Sequence, residues 1–325
     1  MTRIAVFGAG AIGCWVGGML AAGGADVTLI GRARVMDELA GGLRVSDLDG
    51  GDRRVRVTVA TAASAATAAD YVLVTVKSAA TADAATALAG IGAPVVSFQN
   101  GVRNVDVLRA RLPRVLAGMV PFNVVRRAPG VYHRASAGAI MIEASPTAEA
   151  LRALVPMQPR TDMPAVQWSK LLMNLNNAIN ALSGLPLAEE LGQRAYRWCL
   201  ARAQREALGL VRAAKIALAR VTAVPPGWLP RLLELPDAAF RVLARRVVAI
   251  DPLARSSMWE DLEARRPTEI DYIQGEIVAL GVRLGRPTPI NAALVALVRA
   301  AEAGGRRDYR GDELSALLAA RTGAA

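Results

Sequence analysis

Between Arg3 and Asp26 the chain carries no charge for 22 residues, and seven of those residues are glycine. The stretch, IAVFGAGAIGCWVGGMLAAGGA, admits two broad readings. A membrane helix needs about 20 consecutive apolar residues. A secretory leader needs a basic start, an apolar middle and a small-residue cleavage site, and Arg3 and AAGGA imitate its two ends. Seven glycines make a poor lone anchor, because glycine weakens a helix interior. A local parse fits better. IAVF is a short buried strand, GAGAIG supplies Gly8-x-Gly10-x-x-Gly13, and AIGCWVGGMLAA runs as a helix toward a glycine stop. DVTLIGR then opens a second strand. The glycines sit where strand turns into helix, the order expected of a dinucleotide-binding β-α-β unit.

The chemistry accounts for the spacing. Gly8 permits the tight turn, Gly10 lets a pyrophosphate approach the backbone, and Gly13 lets helix and strand pack closely. The helix start offers free N–H groups and partial positive charge to phosphate. The turn Gly8-Ala9-Gly10-Ala11-Ile12-Gly13 is therefore the expected cofactor site. The second strand ends on Arg32, with Arg34 nearby. An acid there would bond a ribose 2′-hydroxyl, whereas a guanidinium grips a 2′-phosphate. The expected cofactor is NADPH rather than NADH; otherwise Arg32 is an ordinary surface arginine.

A chain of 325 residues, 53% hydrophobic and 21% charged, has room for two ordinary domains and is too apolar for wholesale disorder. The net charge of +11 comes from arginines scattered along an Ala-rich chain, without a dense basic run interleaved with aromatics. That pattern reads as a solvated basic surface and argues against nucleic-acid or membrane partners. Two cysteines, Cys14 and Cys199, and one histidine, His133, form no metal-binding or disulfide pattern, so no metal is expected. Cys14 reads as a small buried residue and His133 as structural. With no recognised leader or anchor, the expected compartment is the cytoplasm.

The N-terminal half continues as α/β. ADYVLVTVKS reads as a strand ending at Lys77, and APVVSFQNGV as one ending at Gln99-Asn100-Gly101. Ligands gather beyond the carboxyl ends of strands in open parallel sheets, which places Lys77 and Asn100 near the cofactor. VLAGMVPFNVV, GVYHR and GAIMIEA read as further strands, antiparallel, closing the sheet near residue 146. MQPRTDMP reads as a polar turn-rich junction. From about Val166 the pattern is helical with Pro and Gly breaks. The expected fold class is α/β: a Rossmann-type doubly wound sheet over 1–162, followed by an all-helical domain over 163–325.

Two stretches of the second half stand out. In QWSKLLMNLNNAINALSGLPL, Lys170, Asn174 and Asn177 fall at i, i+4 and i+7 on one helical face. That is either an ordinary polar face or a row of donors headed by a general acid. In RSSMWEDLEARRPTEIDYIQG, Pro267-Thr268 looks like a helix start capped by Thr268, which leaves Ser257, Asp261 and Glu269 without a fixed role.

These blocks together resemble the ketopantoate reductase family. The likeness runs through GAGAIG, the strand ending in Arg32, VKS, QNG, WSKLLMN, SSMWEDLEARRPTEIDYIQG and RPTPINAAL, in that order, over almost the whole chain. SSM…D…TEIDYI-G is the specific part; GxGxxG alone would not be. The resemblance implies a Rossmann domain joined to a helical one, with the active site in the cleft between them. It implies reduction of 2-oxopantoate (2-dehydropantoate) to pantoate with NADPH, on the route to pantothenate and coenzyme A. By that likeness Lys170 is the general acid, Asn100 helps hold cofactor and substrate, and Asn174 binds the hydroxyl side of the substrate. Ser257 binds its carboxylate, Glu269 bonds the cofactor ribose, Lys77 lies near the cofactor, and Asp261 is supportive. The family pattern Lys-x-x-x-Asn-x-x-x-Asn ends here on Ala178, so the second substrate amide is Asn177 or Asn180. Ideal helix geometry favours Asn177, about 20° from Lys170 against about 80° for Asn180. Alternatives are a reductase of another 2-oxo acid on this scaffold and an NADPH-binding regulator without turnover. A β-hydroxyacid dehydrogenase would also use a helical-domain lysine, but lacks the SSM…TEIDYI block. A small 2-oxo acid is the expected partner, and a homodimer is left open.

Overall fold

Strand β1 (Arg3–Phe7) is the centre from which the N-terminal sheet is wound in both directions. The computed structural model describes residues 1–240, 242 and 254–321. The chain divides into two compact units, Met1–Met163 and Pro164–Ala325.

In the first unit an eight-stranded sheet has the order β12-β11-β8-β7-β6-β1-β2-β5. On one side of β1 lie β2 (Asp26–Ile30) and β5 (Thr58–Ala60). On the other lie β6 (Tyr71–Val74), β7 (Val95–Ser97) and β8 (Val115–Met119). All of these pairs are parallel. Val72, Leu73, Val74, Val95 and Val96 are buried, as expected for strands covered on both faces. Each such aliphatic side chain contributes roughly 1.5–3 kcal/mol by leaving water.

Helix α1 (Ala11–Ala22) packs between this sheet and a second, four-stranded one of order β4-β3-β10-β9. The second sheet is made of β3 (Leu43–Ser46), β4 (Asp52–Val55), β9 (Val124–Ala128) and β10 (Val131–Arg134). The double glycine inside α1 follows from this sandwich. A methyl on Gly17 would stand 2.7 Å from Leu29 Cδ2, and one on Gly18 2.5 Å from Val45 Cγ1. Trp15 fills the remaining gap, edge-on to Phe122 at 4.9 Å, and its indole N–H donates to the Ser46 carbonyl at 3.0 Å.

Four readings of the sequence are corrected here. VLAGM forms β8, which is parallel to β7 rather than antiparallel. VYHR and VVRRA leave the main sheet and pair with β3 and each other, so they do not close it. β11 (Ile140–Glu143) is antiparallel to β8, as read, but the sheet continues past residue 146. MQPR, read as a junction, is edge strand β12 (Met157–Arg160). Pro159 is tolerated because an edge strand has one unpaired side. His133 is buried and its Nδ1 lies 2.9 Å from Ser46 Oγ, a structural bond across the second sheet.

The described residues of the second unit contain no strand. Helix α6 (Met163–Asn174) is followed by α7 (Asn176–Ser183), α8 (Leu187–Gly192) and the long α9 (Arg194–Ala213). α10 is Leu229–Leu233, α11 is Ser257–Glu263, α12 is Gln274–Arg283, α13 is Pro289–Glu302 and α14 is Gly311–Ala319. Cys199 is buried and its thiol is pushed up to about 12, while burial pushes the Cys14 thiol up to about 11; neither is a nucleophile at neutral pH. No helix among the described residues is long and apolar enough to cross a membrane.

Candidate functional site

The parallel register brings four strand ends to one edge of the first unit. Phe7 is level with Ile30 on β2 and with Val74 on β6, and Val74 is level with Ser97 on β7. Gly8, Arg32, Lys77 and Asn100 all follow these positions, so all leave the sheet at its carboxyl edge. The strand order reverses about β1, the place where such sheets bind ligands.

The glycine turn is locked between β1 and β6. Gly8 has φ +119°, a conformation other residues rarely adopt, and a methyl there would stand 2.6 Å from the Val76 nitrogen. Thr75 Oγ1 donates to the Gly8 carbonyl at 2.6 Å. A methyl on Gly13 would overlap that same carbonyl oxygen and reach 2.5 Å from Thr75 Oγ1. Gly10 differs: among the described residues nothing lies within 4 Å of a methyl placed there. It is the N-cap of α1, no side chain caps that end, and the first turn carries no acid. The Ala11 and Ile12 N–H groups have no intrahelical partner at such a position. Open space over a bare helix N-terminus fits a pyrophosphate. Ala9 is buried, whereas Ala11 and Ile12 are partly exposed. Arg32 caps α2 (Ala33–Leu39); it and Arg34 are exposed, and neither guanidinium enters an ion pair among the described residues.

Sequence reasoning missed the polar bolt behind Lys77 and Asn100. Ser78 Oγ donates to the Asn100 carbonyl at 3.2 Å, and Asn104 Nδ2 donates to Ser78 Oγ at 3.0 Å. Thr81 Oγ1 lies 2.9 Å from Asn104 Oδ1 and accepts from Gln99 Nε2 at 2.7 Å, while Gln99 also donates to the Val76 carbonyl at 3.1 Å. Ser78, Thr81, Gln99 and Asn104 are all buried. The network holds the loops after β6 and β7 in one arrangement, with Lys77 exposed and Asn100 half-buried at its margin. Its signal in the sequence is polar residues just past two apolar strands, but nothing local says that they face each other.

In the second unit Lys170 and Asn174 lie one turn apart on α6. Loss of water lowers the Lys170 ammonium from its usual 10.5 to about 8. Three side chains clamp this helix. Ser169 Oγ donates to the Ala219 carbonyl at 2.8 Å, Gln204 Nε2 to Leu172 at 3.2 Å and Gln274 Nε2 to Leu175 at 2.7 Å. The last contact falls where the helix breaks. Leu175 separates α6 from α7, so ideal angles carried across an unbroken helix do not decide between the two later amides.

Hydrogen bonding separates them instead. Asn180 is fully buried: its Nδ2 donates to the Leu185 carbonyl at 3.0 Å and to Glu190 Oε2 at 3.1 Å, and its Oδ1 accepts from Ser256 N at 2.8 Å. Asn177 is half-buried; among the described residues its side chain makes no hydrogen bond, while its main-chain carbonyl accepts from Ser256 Oγ at 3.1 Å. The same Ser256 Oγ caps α11 by accepting from Trp259 N at 3.1 Å. Ser257, next in the chain after Ser256, is half-buried.

Asp261 is buried in α11 and pairs with Arg266 at 3.3 Å. Glu269 is buried ahead of a short 3-10 turn, Ile270–Tyr272, where the sequence suggested a regular helix start. The N-cap of that turn is Glu269, not Thr268 as the sequence suggested, and no side chain caps it; Thr268 Oγ1 accepts from Ile270 N at 3.2 Å, a local turn bond one residue earlier. The segment then enters α12 at Gln274, the residue that clamps the α6–α7 break.

A family model described as ketopantoate reductase PanE/ApbA matches residues 4–147, and its C-terminal counterpart matches 162–302. The chain belongs to the ketopantoate reductase family. The 2-dehydropantoate 2-reductase of Archaeoglobus fulgidus is 32% identical over 93% of this chain and 98% of its own length. That of Halobacterium salinarum is 31% identical over 93% and 100%. Among solved structures, a PanE/ApbA family ketopantoate reductase from Ralstonia eutropha superposes with a TM-score of 0.78 at 32% identity, covering 93% of this chain and 99% of that one. Family membership thus spans both units, the glycine edge and the lysine helix alike.

Proposed function

We propose that the protein reduces 2-dehydropantoate to (R)-pantoate with NADPH, in the biosynthesis of pantothenate. The observation that carries this is Lys170, a lysine with its pKa brought to about 8, one turn from Asn174 in a chain whose two units both match ketopantoate reductase. The glycine turn takes the pyrophosphate on the Ala11 and Ile12 N–H groups, Arg32 pairs with the 2′-phosphate, and Glu269 bonds the ribose. Lys77 and Asn100 border the cofactor, Asn100 reaching the substrate as well. When bound, NADPH supplies the hydride. The Ser257 hydroxyl and the Asn177 amide hold the 2-oxo acid, with Asn174 on its hydroxyl side. Asn180 is left to structure.

As the carbonyl carbon gains hydride, negative charge develops on its oxygen. The Lys170 ammonium stabilises that charge and gives its Nζ proton to the oxygen, leaving a neutral amine that solvent reprotonates. The test is NADPH oxidation followed by absorbance with 2-oxopantoate beside a panel of other 2-oxo acids. The highest kcat/KM should fall on 2-oxopantoate; a different winner overturns the substrate, and binding of NADPH without any turnover overturns the reaction.

The direction of the lysine shift sets the pH dependence. The proton donor is the charged form, present below about pH 8 and lost above it. kcat/KM for reduction should be level below that pH and fall about tenfold per unit above it. Oxidation of pantoate needs the neutral amine and should rise about tenfold per unit up to about pH 8 and be level above it. Parallel profiles in the two directions would remove Lys170 from the proton step.

Arg32→Ala should raise KM for NADPH by about 10–100-fold, the worth of charge-assisted bonds to one phosphate. KM for NADH should stay where it is. An equal rise for both cofactors would show that Arg32 does not read the 2′-phosphate.

A further inference from the structure

One buried carboxyl lies at the root of the substrate helix and has no part in the reaction above. Glu190, on α8, is fully buried, and a single oxygen, Oε2, accepts from two amides of α7: Asn176 Nδ2 at 3.0 Å and Asn180 Nδ2 at 3.1 Å. Asn180 in turn accepts from Ser256 N at 2.8 Å, and Ser256 Oγ donates to the Asn177 carbonyl at 3.1 Å. A closed path therefore runs from Glu190 through Asn180 to Ser256 and back to α7. Asn177 follows Asn176 and Ser257 follows Ser256, so each substrate-holding residue is the chain neighbour of a residue on that path. The start of α8 joins the same frame, because Leu187 N donates to the Ala254 carbonyl at 2.8 Å.

We propose that Glu190 is a positioning residue for substrate binding: it fixes α7 against the start of α11 and so sets the spacing between the Asn177 amide and the Ser257 hydroxyl. The inference rests on the reading that these two groups hold the 2-oxo acid.

The chemistry of the carboxyl suits this task. Burial raises its pKa to about 8 against the lowering effect of the two amides. It is therefore mostly a neutral acid at pH 7, and its carbonyl oxygen has two lone pairs for two amide donors. Its other oxygen, Oε1, and Asn176 Oδ1 are both buried without a partner among the described residues. A proton on Oε1 converts one of these acceptors into a donor. The hub thus holds two amides without burying a charge, and a glutamine, also neutral and with one carbonyl acceptor, should imitate it.

The test uses the full-length protein and reads KM for 2-oxopantoate and Kd for NADPH separately. Glu190→Ala should raise KM for the oxo acid about tenfold or more, with Kd for NADPH within about twofold of the parent. Glu190→Gln should restore KM to within about threefold. An unchanged KM in Glu190→Ala, an equal loss of NADPH binding, or a glutamine variant as impaired as the alanine one would each overturn the proposal. If Glu190→Ala does not accumulate as folded protein, Asn176→Ala removes one arm only and should still raise KM about threefold; no rise overturns the proposal. Ser257→Ala and Asn177→Ala, run alongside, separate the two layers. If they leave KM unchanged, the substrate assignment falls. If they raise it and Glu190→Ala does not, only the role of Glu190 falls.

Discussion

Lys170→Ala is expected to lower kcat/KM for reduction of 2-oxopantoate by about 10²–10⁴-fold, the usual contribution of a placed general acid. Its NADPH affinity should be unchanged, since the cofactor residues proposed here lie on other elements. A second variant sharpens the test. The folded lysine has a pKa of about 8 against 10.5 in water, so folding sheds a proton between those values. The depressed value means that the folded state bears the cost of a poorly solvated ammonium at every pH below about 8. That cost fades as pH rises toward 10.5. Lys170→Met keeps the stem and removes the charge, so it should stabilise the protein at pH 7. At 1.36 kcal/mol per pKa unit, discounted because the side chain is partly exposed, the gain is about 1–2 kcal/mol. It should shrink in thermal melts taken toward pH 10. A variant that is inactive yet more stable marks a lysine kept for chemistry; one that loses both stability and activity would mark a structural lysine.

Gly13→Ala and Gly10→Ala should separate folding from cofactor binding. At Gly13 the added methyl overlaps the Gly8 carbonyl oxygen and stands 2.5 Å from Thr75 Oγ1. Both belong to the hydrogen bond that holds the turn against β6, so neither can yield cheaply. We expect a loss of about 1–3 kcal/mol in stability, as for overpacking elsewhere, together with at least about 100-fold weaker NADPH binding as the turn opens. At Gly10 the same methyl meets nothing. Stability should fall by only about 0.5–1 kcal/mol, the cost of alanine in place of glycine at an N-cap. NADPH binding should still fall by about tenfold or more, because the methyl occupies the space proposed for the pyrophosphate. Thermal melts and fluorescence titration of both variants give the answer. Normal NADPH binding in Gly10→Ala would place the pyrophosphate elsewhere.

The parts legible in the sequence share a physical property: their geometry is local. Gly8, Gly10 and Gly13 lie within one strand-to-helix turn, so backbone sterics alone assign their places. Lys170 and Asn174 are four residues apart on one helix, and the 3.6-residue period puts them on one face whatever surrounds them. Hydrophobic runs gave the strands of the main sheet for the same reason.

The parts that were not legible depend on partners far along the chain. β10 pairs with β3 across more than 80 residues, and no periodicity in VYHR says that it leaves the main sheet. β12 carries a proline inside a polar stretch and becomes a strand because the sheet leaves it an edge. The choice between Asn177 and Asn180 was beyond helical angles, since the helix breaks at Leu175 under a clamp from Gln274, 99 residues away. Burial settles what Asn180 does by filling its hydrogen bonds with Leu185, Glu190 and Ser256. The sequence by itself determined the glycine turn, the α/β order and the lysine helix, because each is written within a few residues. Only the tertiary structure decided which amide remains available, what pushes the lysine pKa down, and that one oxygen of Glu190 accepts from two amides of α7. Desolvation and hydrogen-bond saturation belong to what surrounds a residue, and a linear chain does not carry that.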